Sequence, residues 1–165
     1  MKLIPVKLTN KLASVPCYVD EQDFEKVSKT RWHLHYGPFS KKVYARGRVN
    51  GKNMRMHRLI MDAPANMDID HINGNGLDNR RSNLRLCTET QNRANTGPQR
   101  NNTSGFKGVY KVKTGWRAAI KIKGKMTGIG TFKTKEEAAT AYDEVARKLH
   151  GDFAKLNVLT NPQAS

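Results

Sequence analysis

Cysteine is almost missing from this chain. Its 165 residues include two, Cys17 and Cys87, far apart and with no CxxC pair. A disulfide framework and a zinc site built on paired cysteines are thereby excluded, and both thiols read as small buried apolar residues. Acidic residues are scarce too: 14 Asp and Glu stand against 30 Lys and Arg, a formal net charge of +16. So basic a surface attracts polyanions, and nucleic acid is the commonest such partner. No basic amphipathic helix stands out, which argues against a membrane surface. No apolar run reaches transmembrane length, and the start MKLIPVKLTN lacks the apolar stretch of a signal peptide. The expectation is a cytoplasmic protein, not secreted and with no membrane partner. No internal repeat is evident.

What the chain does contain is concentrated between Asp68 and Asn95. This run reads DIDHINGNGLDNRRSNLRLCTETQNRAN. It places an Asp-His pair at Asp70 and His71, an Asn twelve residues past the His at Asn83, and another nine further on at Asn92. An imidazole can take a proton from water near pH 7. A carboxylate can hold a hard divalent cation. Arg80, Arg81, Arg85 and Arg93 lie in the same run and can hold phosphates. These are the parts needed to hydrolyse a phosphodiester. Neighbouring side chains on a strand point to opposite faces, so Asp70 and His71 share one site only if the strand ends or kinks between them.

The local signals predict two units joined by a polar stretch: residues 1–96, a linker at 97–103, and residues 104–165. In the first, short strands are expected over Lys2–Leu8 and Ala13–Val19. A helix is expected to start at Asp20 as N-cap and run to about Ser28. Alternation at Trp32, Leu34 and Tyr36 and at Val43 and Ala45 reads as strand. Asn50-Gly51 reads as a type I′ hairpin turn. His57–Met61 suits a short helix ended by Pro64. Asn73-Gly74-Asn75-Gly76 forces a turn, Leu84 and Leu86 a returning strand, and Thr88 with Gln91 a capping box that opens a helix carrying Asn92 and Asn95. In the second unit, three strands are expected over Gly108–Lys113, Trp116–Lys123 and Thr127–Phe132. A helix should follow from the capping box at Thr134 to about His150, with Ala138, Ala141, Tyr142, Val145 and Leu149 as its apolar face. Trp116, Ala118, Ile120 and Ile122 should meet that helix. Arg117, Ala119, Lys121 and Lys123 should form a basic outer face. The fold class is therefore α+β.

The Asp70–Asn95 constellation resembles the HNH endonuclease family and its ββα-metal fold, in the form found in phage and intron homing endonucleases. His57-Arg58-Leu59 resembles the element that commonly stands ahead of that motif. The resemblance covers about Lys2–Asn95, most closely His57–Asn95. It implies that His71 is the general base, that Asn83 braces the loop and helps orient the His, and that Asp70 and Asn92 bind one divalent ion. Asn79 and Asn95 are alternatives for the two Asn roles. Asn92 stands where many members have His, which favours a hard ion such as Mg²⁺ or Mn²⁺, with no structural zinc. His57 reads first as the donor of a structural hydrogen bond at a helix start and second as a catalytic or phosphate contact, and His33, His35 and His150 read as ordinary.

The second unit resembles the AP2/ERF DNA-binding domain through Gly105–Tyr110, Trp116–Ile120, Gly130-Thr131-Phe132, Glu136–Ala139 and Ala141-Tyr142-Asp143. Several positions that plant members use for base reading are not matched. The resemblance implies a three-stranded sheet packed on one helix that binds DNA, with Arg117, Lys121 and Lys123 as contacts.

Together these readings point to a metal-dependent DNA endonuclease of the HNH homing type. It would act on double-stranded DNA, with nicking expected and a monomer favoured, in a bacterial or phage-infected cell. The rival readings are a DNA-binding regulator with an inactive nuclease motif and an RNA-acting toxin nuclease.

Overall fold

The computed structural model describes residues 1–7, 14–37, 42–99, 101–122 and 124–157. The expectations at Leu8, Ala13 and Lys123 fall outside the described residues. Among the described helices none is long and apolar enough to cross a membrane. The chain forms two compact units, residues 1–92 and 93–165.

The first unit contains β1 (Lys2–Lys7), β2 (Ser14–Val19), α1 (Glu21–Ser28), β3 (Trp32–Tyr36), β4 (Val43–Val49), β5 (Lys52–Arg55), α2 (Met56–Met61), β6 (Asp68–His71) and β7 (Leu84–Cys87). The first five strands make one sheet in the order β2-β1-β3-β4-β5. Strand alternation sorts its two faces. Trp32, Leu34 and Ala45 turn inward onto Val6, Val19, Val27, Met56 and Ile60. Trp32 is the largest buried side chain, and its indole N–H donates to the Val27 carbonyl at 2.8 Å, so no polar atom is left unpaired by its burial. The β4–β5 connection is the expected tight hairpin: Asn50 and Gly51 both have positive φ, 47° and 75°.

Two local expectations are corrected. Asp20 occupies the N-cap of α1 but does not cap it; its carboxylate accepts from the Arg81 amide at 2.8 Å instead. The α2 helix ends at Asp62, in the left-handed region at φ 46°, before Pro64 is reached.

β6 and β7 form a separate antiparallel hairpin that pairs Asp70 with Arg85 and His71 with Leu84. A single 3₁₀ turn, Arg81–Asn83, leads into β7. The helix α3 (Glu89–Ala94) follows, opened by the expected reciprocal cap: Gln91 N–H to Thr88 Oγ1 at 3.3 Å and Thr88 N–H to Gln91 Oε1 at 2.8 Å. The strand–loop–strand–helix order therefore stands. The loop is pinned to the large sheet at Gly76. A Cβ there would lie 2.3 Å from the Val43 carbonyl oxygen and 2.7 Å from the Tyr44 ring, so only glycine fits.

The second unit contains β8 (Val109–Val112), β9 (Gly115–Ile122), β10 (Lys125–Phe132) and α4 (Lys135–His150). The strands form an antiparallel sheet in the order β10-β9-β8. Thr134 caps α4, accepting from the Glu137 amide at 3.1 Å while Glu137 accepts from Thr134. Val109, Ala118 and Ile120 meet Ala138, Ala139, Tyr142 and Ala146. Gly108 lets the Tyr142 ring approach; a Cβ would sit 2.2 Å from it.

The buried face of α4 differs from the expected one. Ala139, Asp143 and Ala146 are inside and Leu149 is exposed. The cause is polar: Asp143 accepts from the Asn157 amide N–H at 2.9 Å and from its side chain at 3.0 Å, which turns that side of the helix toward the chain that follows it. Ala119, expected on the open basic face, is buried beside Gly108, whose carbonyl accepts from its N–H at 2.8 Å. The end of the polar stretch is tied to the strand that follows it. The Asn102 amide donates to the carbonyls of Phe106 and Val109, and the Ser104 hydroxyl, itself buried, also reaches Val109. The division between units falls at 92/93, inside α3.

Candidate active site

Four side chains converge at the end of β6. His71 is 4% exposed. Its ring centroid lies 4.9 Å from that of His57 on α2, edge to face, and 5.8 Å from that of Tyr44 on β4. Its Nε2 is 3.3 Å from Oδ1 of Asn79, which is wholly buried. The orientation of the Asn79 amide follows from its other end. Its NH₂ donates to Cys17 Sγ at 2.9 Å, and the Cys17 thiol in turn donates to the Leu77 carbonyl at 3.0 Å. The Asn79 oxygen therefore faces the imidazole and accepts from Nε2–H. That places the basic lone pair of a neutral His71 on Nδ1.

The electrostatics keep His71 neutral at pH 7. Burial pushes its pKa below the ordinary 6.5, against the opposing pull of the Asn79 bond and of the Asp70 charge. A neutral imidazole with a fixed tautomer is the form that can accept a proton from water. Neither thiol is a nucleophile: burial pushes Cys17 up to about 12 and Cys87 up to about 11, so neither is a thiolate.

β6 does not break between Asp70 and His71, as a shared site seemed to require; both remain paired to β7, and the turn begins after His71. Asp70 thus sits on the other face of the strand, together with Asp68. It is 1% exposed, and its Oδ2 accepts from Arg85 Nε at 2.9 Å and Nη2 at 2.7 Å. The Asn92 side chain donates to Asp68 at 3.3 Å, which joins α3 to the same face of β6. Asn95 is buried just past the end of that helix. Among the described residues no group of three His, Cys, Asp or Glu side chains could hold a metal. Asp68, Asp70 and the Asn92 amide nevertheless form a set of hard oxygen donors, the chemistry that Mg²⁺ or Mn²⁺ prefers.

Asn83 braces the loop. Its Oδ1 accepts from the Asn73 amide at 2.9 Å, and its NH₂ donates to the Asp78 carbonyl at 2.8 Å. The hydrogen bond drawn to the His71 ring comes from Asn79, the alternative that the sequence left open.

The arginines are placed differently from the phosphate-contact expectation. Arg80 is paired with Asp78 at 2.7 Å. Arg81 is forked onto the buried carboxylate of Asp23 at 2.8 Å and also donates to the Ile60 carbonyl. Arg85 holds Asp70. Arg93 is exposed in the last turn of α3. In the second unit Arg117 and Lys121 are exposed on β9, and the Arg117 guanidinium lies over Gly128, where a Cβ would come within 2.8 Å of it.

Comparison with known proteins decides the family. The HNH endonuclease family model matches residues 56–94. An HNH endonuclease of Acanthamoeba polyphaga mimivirus is 35% identical over 138 residues, which span 79% of this chain and 68% of that one. Protein 3.8 of Escherichia phage T7 is 36% identical over 111 residues, 63% of this chain and 91% of its own. The chain belongs to the HNH endonuclease family. It is a nuclease, and its C-terminal region is similar to plant transcription factors: an ethylene-responsive transcription factor of Arabidopsis thaliana is 48% identical over 63 residues, 36% of this chain and 25% of that one. No solved structure matches.

Three residues of this HNH site escaped a reading of the motif, or were given lesser roles. Tyr44 lies on β4 and carries no local signal; only the sheet brings it to His71. Asp68 is visible only as the residue two before Asp70 on one strand. His57, read first as a structural hydrogen-bond donor, packs edge to face against the rings of Tyr44 and His71.

His57 has a measurable consequence. Burial, with the neighbouring His71 and Arg55, lowers its pKa from 6.5 to about 2. The unfolded chain then binds a proton below pH 6.5 that the folded chain refuses. Stability is full above the unfolded value and falls as pH drops from there toward the folded one. At pH 5 the loss from this residue should be about 2 kcal/mol. Urea melts at pH 7.5 and pH 5 should show it, and a His57→Asn variant should lose less stability between the two.

Proposed function

We propose that this HNH endonuclease nicks duplex DNA by metal-assisted hydrolysis, with His71 as the base that takes the proton from water. The observation that supports this most directly is the His71–Asn79 bond within a buried cluster. It commits Nε2 as a donor and so puts the lone pair of the neutral ring on Nδ1. His57 and Tyr44 hold the ring in place and exclude water from its faces. Asn83 keeps the loop after His71 closed. A divalent ion would be held by Asp70 and Asn92, with Asp68 beside them, and when bound it would offset the charge that develops on the phosphate and the leaving 3′ oxygen. One active site per chain cuts one strand per encounter, which makes a nick the expected product.

The second unit, in this reading, adopts the role of its AP2/ERF relatives and grips the duplex. Arg117 and Lys121 on the open face of β9 would contact phosphates. Changing both to Ala should flatten the dependence of log K on log salt by about 1.8, at roughly 0.9 per lost phosphate contact. An unchanged slope in a gel-shift titration would remove this face from the DNA surface.

The deciding assay is conversion of supercoiled plasmid to nicked circles. Conversion is expected with Mg²⁺ or Mn²⁺ and none with EDTA. The buried Asp70–Arg85 pair favours the second reading, a DNA-binding protein with an idle nuclease motif, because the carboxylate is already occupied. Absence of nicking with either ion, alongside retained DNA binding, would establish that second reading instead.

A further inference from the structure

Arg80, Arg81 and Arg85 are taken up by carboxylates, so a further grip on the substrate is to be sought elsewhere on the nuclease unit. The outward face of β3, β4 and β5 offers one. The pairing His33↔Arg46, His35↔Tyr44, Arg46↔Arg55 and Arg48↔Asn53 puts these side chains on one side of the sheet, opposite the Trp32 core. No acidic residue occurs on any of the three strands. Arg46, Arg48 and Arg55 have no carboxylate partner among the described residues. Among the described residues Arg48 donates to the Gly51 carbonyl of its own hairpin, and Arg55 lies over the Tyr44 ring at 4.7 Å.

This face leads directly to the reacting group. Tyr44 stands at its edge, with Arg55 above its ring and His71 5.8 Å from its centroid. Behind it the surface is concave. A cavity of about 600 Å³ is lined by His35, Arg46, Asn53 and Arg55, among others. A second concavity of about 400 Å³, lined by Arg31, His33, Arg46 and Arg48, continues the track along the sheet. Guanidinium groups without a carboxylate partner beside a hollow are what an anionic chain satisfies.

We propose that this sheet face is the surface on which the nuclease unit seats the sugar-phosphate backbone of duplex DNA beside the bond to be cut, with Arg46 and Arg48 as phosphate contacts. The inference rests on the endonuclease reading given above. It locates the substrate on a part of the fold outside the HNH motif. Because these contacts reach phosphates and not base edges, they position the duplex without reading its sequence.

The test uses the full chain with Arg46→Gln and Arg48→Gln together. Glutamine keeps much of each aliphatic stem and removes the charge. Binding to a 30-base-pair duplex is measured in EDTA over a range of salt. The expected result is a slope of log K against log salt flattened by about 1.8. Lys2→Gln with Lys29→Gln removes the same charge from elsewhere on the unit and should leave the slope unchanged. A melting curve like that of the wild type confirms that the variant is folded. An unchanged slope in the folded Arg46/Arg48 variant, or an equal change in the lysine control, overturns the proposal. If the wild type fails to nick yet the arginine variant flattens the slope, the endonuclease reading falls while the surface stands. If nicking is normal and the slope does not move, the surface falls alone.

Discussion

Replacing His71 by Asn is expected to lower the single-turnover nicking rate by about 10²–10⁴-fold, the usual contribution of a positioned base, with DNA affinity nearly unchanged. Asn can replace part of the ring and still meet the Asn79 amide, but it accepts no proton near pH 7. The affinity should hold because His71 is 4% exposed and faces Asn79, His57 and Tyr44 rather than an open cationic surface. The pH dependence carries a second check. Since burial lowers the His71 pKa below 6.5, the wild-type rate should stay level as pH falls toward that value and decline only beneath it. Nicking by the Asn variant at the wild-type rate under single-turnover conditions would assign the base elsewhere.

Arg85→Ala is expected to cost about 3–5 kcal/mol of stability, because it strands a carboxylate in the interior. Asp70 is 1% exposed, and Arg85 covers it with two hydrogen bonds to one oxygen, at 2.7 and 2.9 Å. For a unit of this size each kcal/mol lowers Tm by roughly 4–8 °C, so the fall should exceed about 10 °C. A surface phosphate contact would behave in the opposite way. Its loss would leave Tm alone and flatten the salt slope by about 0.9. Calorimetry and a gel-shift titration on the same variant therefore separate the two roles. The double change Arg85→Met with Asp70→Asn should recover much of the lost stability, since it removes the charge along with its partner. If Arg85→Ala melts like the wild type, the pair is not structural, and the arginine returns to the list of DNA contacts.

Much of this protein was determined by sequence alone, wherever the cause of a structure lies within a few residues. The caps at Thr88–Gln91 and Thr134–Glu137, the Asn50-Gly51 turn and the β6–loop–β7–α3 order all depend on local backbone chemistry, and each is found where the sequence puts it. The spacing of Asp70, His71, Asn83 and Asn92 was enough to point to the HNH family, which the comparisons show.

Only the tertiary structure decided how the charged and polar groups pair. Arg80, Arg81 and Arg85 are alike in sequence, but Arg81 finds Asp23, 58 positions away, and Arg85 finds Asp70 because β6 and β7 place them opposite one another. The same holds for the choice of Asn79 at the His71 ring, which turns on a thiol 62 residues distant, and for Tyr44, delivered by a sheet whose register no local pattern specifies. The physical reason is common to all of them. A buried charge or amide must find a partner wherever the folded chain provides one. That partner is chosen by which strands lie side by side, not by which residues are neighbours in sequence.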